Sequence, residues 1–96
     1  MANVSISGTI KEYSSAAKGV AKAQVTITDF ANRRMRRSTK ADDDGKYNLQ
    51  IELAADTNGW MNVGVSAEKS GYWPAAFGTP TNANNVVIDL SLVKMP

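Results

Sequence analysis

Apolar and polar residues alternate along most of this chain with a period of two. Val4, Ile6, Gly8 and Ile10 alternate with Ser5, Ser7 and Thr9. Ala23, Val25 and Ile27 alternate with Gln24, Thr26 and Thr28, and Met35 to Ala41 continues with mixed polarity. Tyr47, Leu49, Ile51 and Leu53 stand opposite Asn48, Gln50 and Glu52, while Met61, Val63, Val65 and Ala67 stand opposite Asn62, Gly64 and Ser66. Val86, Ile88, Leu90 and Leu92 close the chain, with Asp89 and Ser91 turned outward. Successive side chains of a strand point to opposite faces, so each run predicts a half-buried β-strand. No segment keeps a helical period for three turns.

Turn residues punctuate the runs: Ser14-Ser-Ala-Ala-Lys-Gly19, Ala31-Asn32, Asp42-Asp43-Asp44-Gly45, Ala54 to Gly59, Lys69-Ser-Gly71 and the polar Gly78 to Asn85. Pro74 cannot donate to a ladder, so Tyr72 to Phe77 reads as a short edge strand at best. Six or seven strands at this spacing predict an all-β fold, an antiparallel sandwich.

Composition narrows the chemistry. The 96 residues make one domain, residues 1–96, with chain enough for a single core. No apolar run approaches the length of a membrane helix, which argues against a membrane partner. The opening Met1-Ala-Asn-Val-Ser-Ile-Ser-Gly8 has neither the basic nor the apolar stretch of a secretory signal. There is no cysteine and no histidine. Disulfides, thiolate chemistry, the commonest general base and the commonest transition-metal ligand are thereby removed, so no enzyme and no cofactor is expected. The net charge of +2 rests on Arg33, Arg34, Arg36 and Arg37, without which the balance would be −2.

Four short motifs occur in order: Ile6-Ser-Gly8-Thr-Ile10, Gly19-Val-Ala-Lys-Ala23-Gln-Val25-Thr-Ile27, Asp44-Gly45-Lys-Tyr47-Asn-Leu49 and Glu68-Lys69-Ser-Gly71-Tyr72. Together they resemble the signatures of the carboxypeptidase regulatory-like domains, over roughly residues 4–93. The resemblance implies a seven-strand antiparallel Greek-key β-sandwich of the immunoglobulin/transthyretin type. It also implies an accessory role, as in stalk and surface-protein domains, with no catalytic residue among the matched positions. Related pilin-stalk domains can hold a Lys–Asn isopeptide bond, but nothing here fixes such a trio. Transthyretin-like hydrolases of purine breakdown need histidines, so that activity is excluded.

Each remaining constellation has a plain alternative. Asp42, Asp43 and Asp44 offer oxygens to calcium, yet three consecutive side chains do not converge on one ion, and a turn closed by Gly45 explains them. No metal site is assigned. Arg33, Arg34, Arg36 and Arg37 are a candidate contact for an acidic protein partner; without interleaved aromatics they argue against nucleic acid. The bland counterpart is a charge-guarded edge strand. Trp60, Tyr72 and Trp73 are candidates for carbohydrate binding through exposed rings, against a role capping a small core. Ser14, Ser15, Asp29, Glu12 and Lys11 contain no recognisable catalytic set.

The chain therefore reads as a non-enzymatic structural or interaction module that docks on, or assembles into, something larger. A virion decoration, tail or fibre protein, or an extracellular filament subunit, would suit it, which favours a virion or extracellular surface. The alternative is a carbohydrate-binding or adhesive module.

Overall fold

The structure is a computed structural model, and it describes residues 2–32 and 35–96. Among the described residues it contains nine strands and no helix: β1 Ala2–Glu12, β2 Gln24–Asp29, β3 Arg36–Lys40, β4 Lys46–Leu53, β5 Met61–Glu68, β6 Tyr72–Trp73, β7 Ala75–Thr81, β8 Asn85–Val87 and β9 Leu90–Lys94. They form two sheets packed as a β-sandwich. One runs β4-β1-β9-β6, with β8 also on β1; the other runs β3-β2-β5-β7. The inward residues of the alternating runs fill the space between them, including Val4, Ile6, Ile10, Val25, Ile27, Ile51, Leu53, Val63, Val65 and Leu92.

Two features depart from the seven antiparallel strands expected. First, β1 pairs in parallel with β8 and with β9. The ends of the chain meet after a long excursion through both sheets, so no hairpin forces them antiparallel. The C-terminal run is also broken at Ile88 and Asp89, which gives two strands in place of one. At the break, the Ile88 N–H donates to the Ser7 carbonyl at 2.8 Å and the Thr9 N–H donates to Asp89 Oδ1 at 2.8 Å. The Ile88 carbonyl crowds Gly8, where any Cβ would overlap it, and accepts the buried Tyr47 hydroxyl at 2.6 Å. Burial, with a smaller push from Asp89, raises the Tyr47 phenol well above its ordinary pKa. Tyr47→Phe leaves that carbonyl without its donor, and urea denaturation should show a loss of about 1–2 kcal/mol. A loss below about 0.5 kcal/mol would show that water replaces the hydroxyl.

Second, the segment from Tyr72 is two strands. β6 closes the β4-β1-β9 sheet and pairs with β9, whereas β7 pairs with β5 in the other sheet, and Pro74 stands at the crossing. The expected polar connection from Gly78 therefore begins only after Thr81. Small and polar Gly78, Thr79 and Thr81 hid this strand from a reading based on apolar alternation.

Two connections use one local device. In Asp42 to Lys46 and again in Asp56 to Trp60, the aspartate Oδ1 accepts N–H bonds from residues two and four positions on, at 2.8–2.9 Å. The glycine between them, Gly45 or Gly59, takes a φ of +81° or +84°. Both turns carry the chain from one sheet to the other: Asp42 to Lys46 from β3 to β4, and Asp56 to Trp60 from β4 to β5.

Candidate interaction surface

The arginine cluster divides. Arg33 and Arg34 lie outside the described residues. Arg36 is exposed on the outer face of β3, opposite Thr28. Arg37 follows the inward register beside Ile27, and its guanidinium donates to the Gln50 carbonyl of β4 at 2.6 Å. An inward-turned charge on an edge strand closes the seam between the β3 and β4 edges, one of the devices that keeps sheet edges from pairing with strangers. Arg37 is thus tied to β4 through its guanidinium, while both Arg36 and Arg37 remain solvent-exposed.

The acidic turn is built as a turn. The Lys46 and Asp44 N–H groups hold the Asp42 carboxyl below its usual range. Asp43 pairs with Lys22 at 3.3 Å across solvent-exposed ground. Among the described residues no group of three or more acidic side chains is placed to hold a metal ion. Asp29 is fully buried, with its two oxygens accepting the Ala31 N–H at 3.0 Å and the Ala54 N–H at 2.8 Å. Glu12 accepts the Tyr72 hydroxyl at 2.8 Å, a bond that raises the Tyr72 phenol above its ordinary pKa.

The aromatic trio is also split. Trp60 precedes Met61, at the end of β5 that pairs with Thr81; Trp73 lies by Ala75, which pairs with Ala67 at the other end. Eight residues of strand separate these ends by roughly 25 Å, so the two indoles belong to different surfaces. Tyr72 faces the core side, and its ring packs partly against the core.

Trp73 has other company. It pairs with Val93, whose neighbours Leu90 and Leu92 point inward, so Val93 and Trp73 share the outer face. The parallel register of β1 and β9 continues past Glu12, with the Tyr13 N–H donating to the Leu92 carbonyl at 2.8 Å, which sets Tyr13 beside Val93 on that face. Met95 extends the same alternation, and its N–H donates to the Gly71 carbonyl at 2.9 Å. Tyr13, Trp73, Val93 and Met95 are 74%, 54%, 49% and 41% exposed. They form an apolar and aromatic patch across three strands at one end of the outer face, the kind of clustered exposure that marks an interaction site. Tyr13, Val93 and Met95 escape a reading based on residue type alone. Parity finds them: Tyr13 continues the outward series Ser5, Ser7, Thr9 and Lys11, and Val93 and Met95 continue from Ser91.

No protein-family model matches the chain, and no curated protein sequence matches it. Among solved structures it superposes on 3-chlorocatechol 1,2-dioxygenase from Rhodococcus opacus with a TM-score of 0.71 at 11% identity. The match covers 98% of this chain and 61% of the dioxygenase. At that identity the likeness is one of fold.

Proposed function

We propose that this chain is a non-enzymatic structural module that docks on or assembles into a larger structure through the outer-face patch of Tyr13, Trp73, Val93 and Met95. The observation that carries the reading is that four large apolar side chains are exposed together at one end of one sheet. Each of these side chains still has 41–74% of its surface to bury on a partner, on the order of 1 kcal/mol apiece before the costs of association. The order of short motifs that resemble those of the carboxypeptidase regulatory-like domains supports an accessory role and a transthyretin-like sandwich. A virion component or a filament subunit are settings in which such a module works, with Arg36 as a further contact to an acidic partner.

Light scattering with negative-stain microscopy on concentrated protein tests the reading. The native chain should form particles or filaments, and Trp73→Glu should disperse them while the thermal melt stays within about 2 °C, since a substitution on an exposed surface costs little stability. Native protein that stays dispersed at hundreds of micromolar would overturn assembly through this patch. A second reading rests on the shared face of Tyr13 and Trp73, whose rings could seat successive sugar units. It predicts that soluble polysaccharide retards the native chain in affinity gels and leaves Trp73→Ala unretarded.

A further inference from the structure

The edge strands of the sandwich, β3, β4, β6, β7 and the three-residue β8, are not equally defended. β3 carries Arg36, Arg37 and Lys40, and β4 has its Gln50 carbonyl taken by Arg37. β6 is only two residues long. β7, the far edge of the β3-β2-β5-β7 sheet, is seven residues long and uncharged, within a stretch from Ser70 to Ile88 that holds no charged residue. Natural sheets blunt exposed edges with charge, shortness, proline or coverage. β7 has of these only Pro80, near its C-terminal end, which leaves the edge open around Phe77.

The register says which of its backbone groups are free. The Asn62 carbonyl accepts the Phe30 N–H at 3.0 Å, so Asn62 turns toward the β2 side of β5. In an antiparallel ladder the next residues turn the other way, so Met61, Val63, Val65 and Ala67 bond to Thr81, Thr79, Phe77 and Ala75. Ala76, Gly78 and Pro80 therefore turn their backbone away from β5, and Pro80, with no N–H, sits where none is needed. Ala76 and Gly78 present two N–H and two C=O groups at an open edge. Phe77, between them, lies on the core-facing side with Val65 yet is 52% exposed. The opposing sheet ends at β6, and half of the Phe77 surface is left open to solvent.

We infer that β7 pairs antiparallel with β7 of a second copy about a two-fold axis at Phe77. In this register Ala76 of each copy exchanges two hydrogen bonds with Gly78 of the other, so all four free donors are used by residues inside the strand. Registers centred one residue to either side also use four donors, but they rely on Pro74 at the sheet crossing or on Pro80, whose carbonyl already accepts the Thr79 hydroxyl at 3.1 Å. Only the Phe77 register sets the two exposed rings opposite one another, as a non-hydrogen-bonded pair with Cα atoms about 4.5 Å apart. Two four-stranded sheets become one of eight strands, no charges oppose across the seam, and each ring covers the other's open edge. The inference rests on the assembly reading and names its partner as the chain itself.

The lack of cysteine makes the test direct. In a Trp73→Glu background, which keeps the chain out of larger particles, light scattering should give twice the 10.3 kDa chain mass, and adding Ala76→Pro, which deletes one free donor, should give the single-chain mass with an unchanged melt. Phe77→Cys should oxidise to a covalent dimer, because the pair sits within disulfide reach. Thr79→Cys should not, since it faces Ala75 of the partner with its own counterpart about 13 Å away. A native mass of one chain at hundreds of micromolar, or equal cross-linking by the two cysteine variants, would overturn this pairing. The outcomes separate the two proposals. Trp73-dependent particles built from Ala76→Pro protein would retain the patch and discard the β7 pair. A Phe77→Cys dimer without Trp73-dependent particles would do the reverse.

Discussion

Gly45→Ala should destabilise the chain by about 3–5 kcal/mol, whereas Gly59→Ala should cost about 1 kcal/mol, although the two glycines share a backbone conformation. Both close an aspartate turn, with φ of +81° and +84°. A Cβ in the left-handed region costs roughly 1–2 kcal/mol at either position. The surroundings differ. A Cβ at Gly59 meets nothing within 4 Å. A Cβ at Gly45 would overlap the Ile10 carbonyl and come within 2.8 Å of the Val20 N–H nitrogen. That backbone cannot yield cheaply: the Ile10 N–H donates to the Gly45 carbonyl at 2.7 Å, and the Val20 N–H donates to the Ile10 carbonyl at 2.8 Å. Gly19 is pressed against the Asp44 carbonyl in the same place. For a domain of this size each kcal/mol moves Tm by about 4–8 °C, so the melt of Gly45→Ala should fall by at least about 12 °C. Equal shifts for the two variants would show that φ alone sets the cost and that the close approach is tolerated.

The same contrast shows where the chain is legible. The turn Asp42 to Gly45 is readable because its signal is local: a side-chain acceptor, a glycine and an alternating run directly after. The core faces of β1, β2, β4 and β5 are readable for the same reason, since period two survives in any sheet. The close packing of Gly45 on Ile10 and Gly19 is not readable, because it depends on residues brought together by the pairing of β1 with the loop before β2. Parallel pairing of β1 with β8 and β9 is likewise a property of the whole path of the chain. Trp73 was legible as a candidate from its residue type and its place beside a proline. Its partners Tyr13, Val93 and Met95 required the register of three strands. The arginines were legible as an edge device, but which of them crosses the seam depended on parity: Arg37 lies opposite the inward Ile27, and Arg36 lies opposite the outward Thr28.

Asp29 gives the second large effect. Its carboxylate is fully buried, and it ties the β2–β3 connection to the β4–β5 connection by accepting the Ala31 and Ala54 N–H groups, at 3.0 and 2.8 Å. Its own backbone joins the same turn, with the Asp29 N–H donating to the Met35 carbonyl at 3.0 Å and the Asn32 N–H donating to the Asp29 carbonyl at 3.2 Å. A buried carboxylate in an otherwise apolar row looks like a candidate catalytic group. Here both of its oxygens are used to satisfy backbone donors that the β2–β3 connection within one sheet and the β4–β5 connection between sheets would otherwise leave unpaired. Asp29→Ala removes both acceptors and opens a small cavity, and should cost about 3–4 kcal/mol in urea denaturation. Asp29→Asn keeps one acceptor and turns an NH2 toward the other donor, so it should recover about half of that loss. A loss under about 1 kcal/mol for Asp29→Ala would mean that water reaches both N–H groups and that the two connections are held by their own hydrogen bonds.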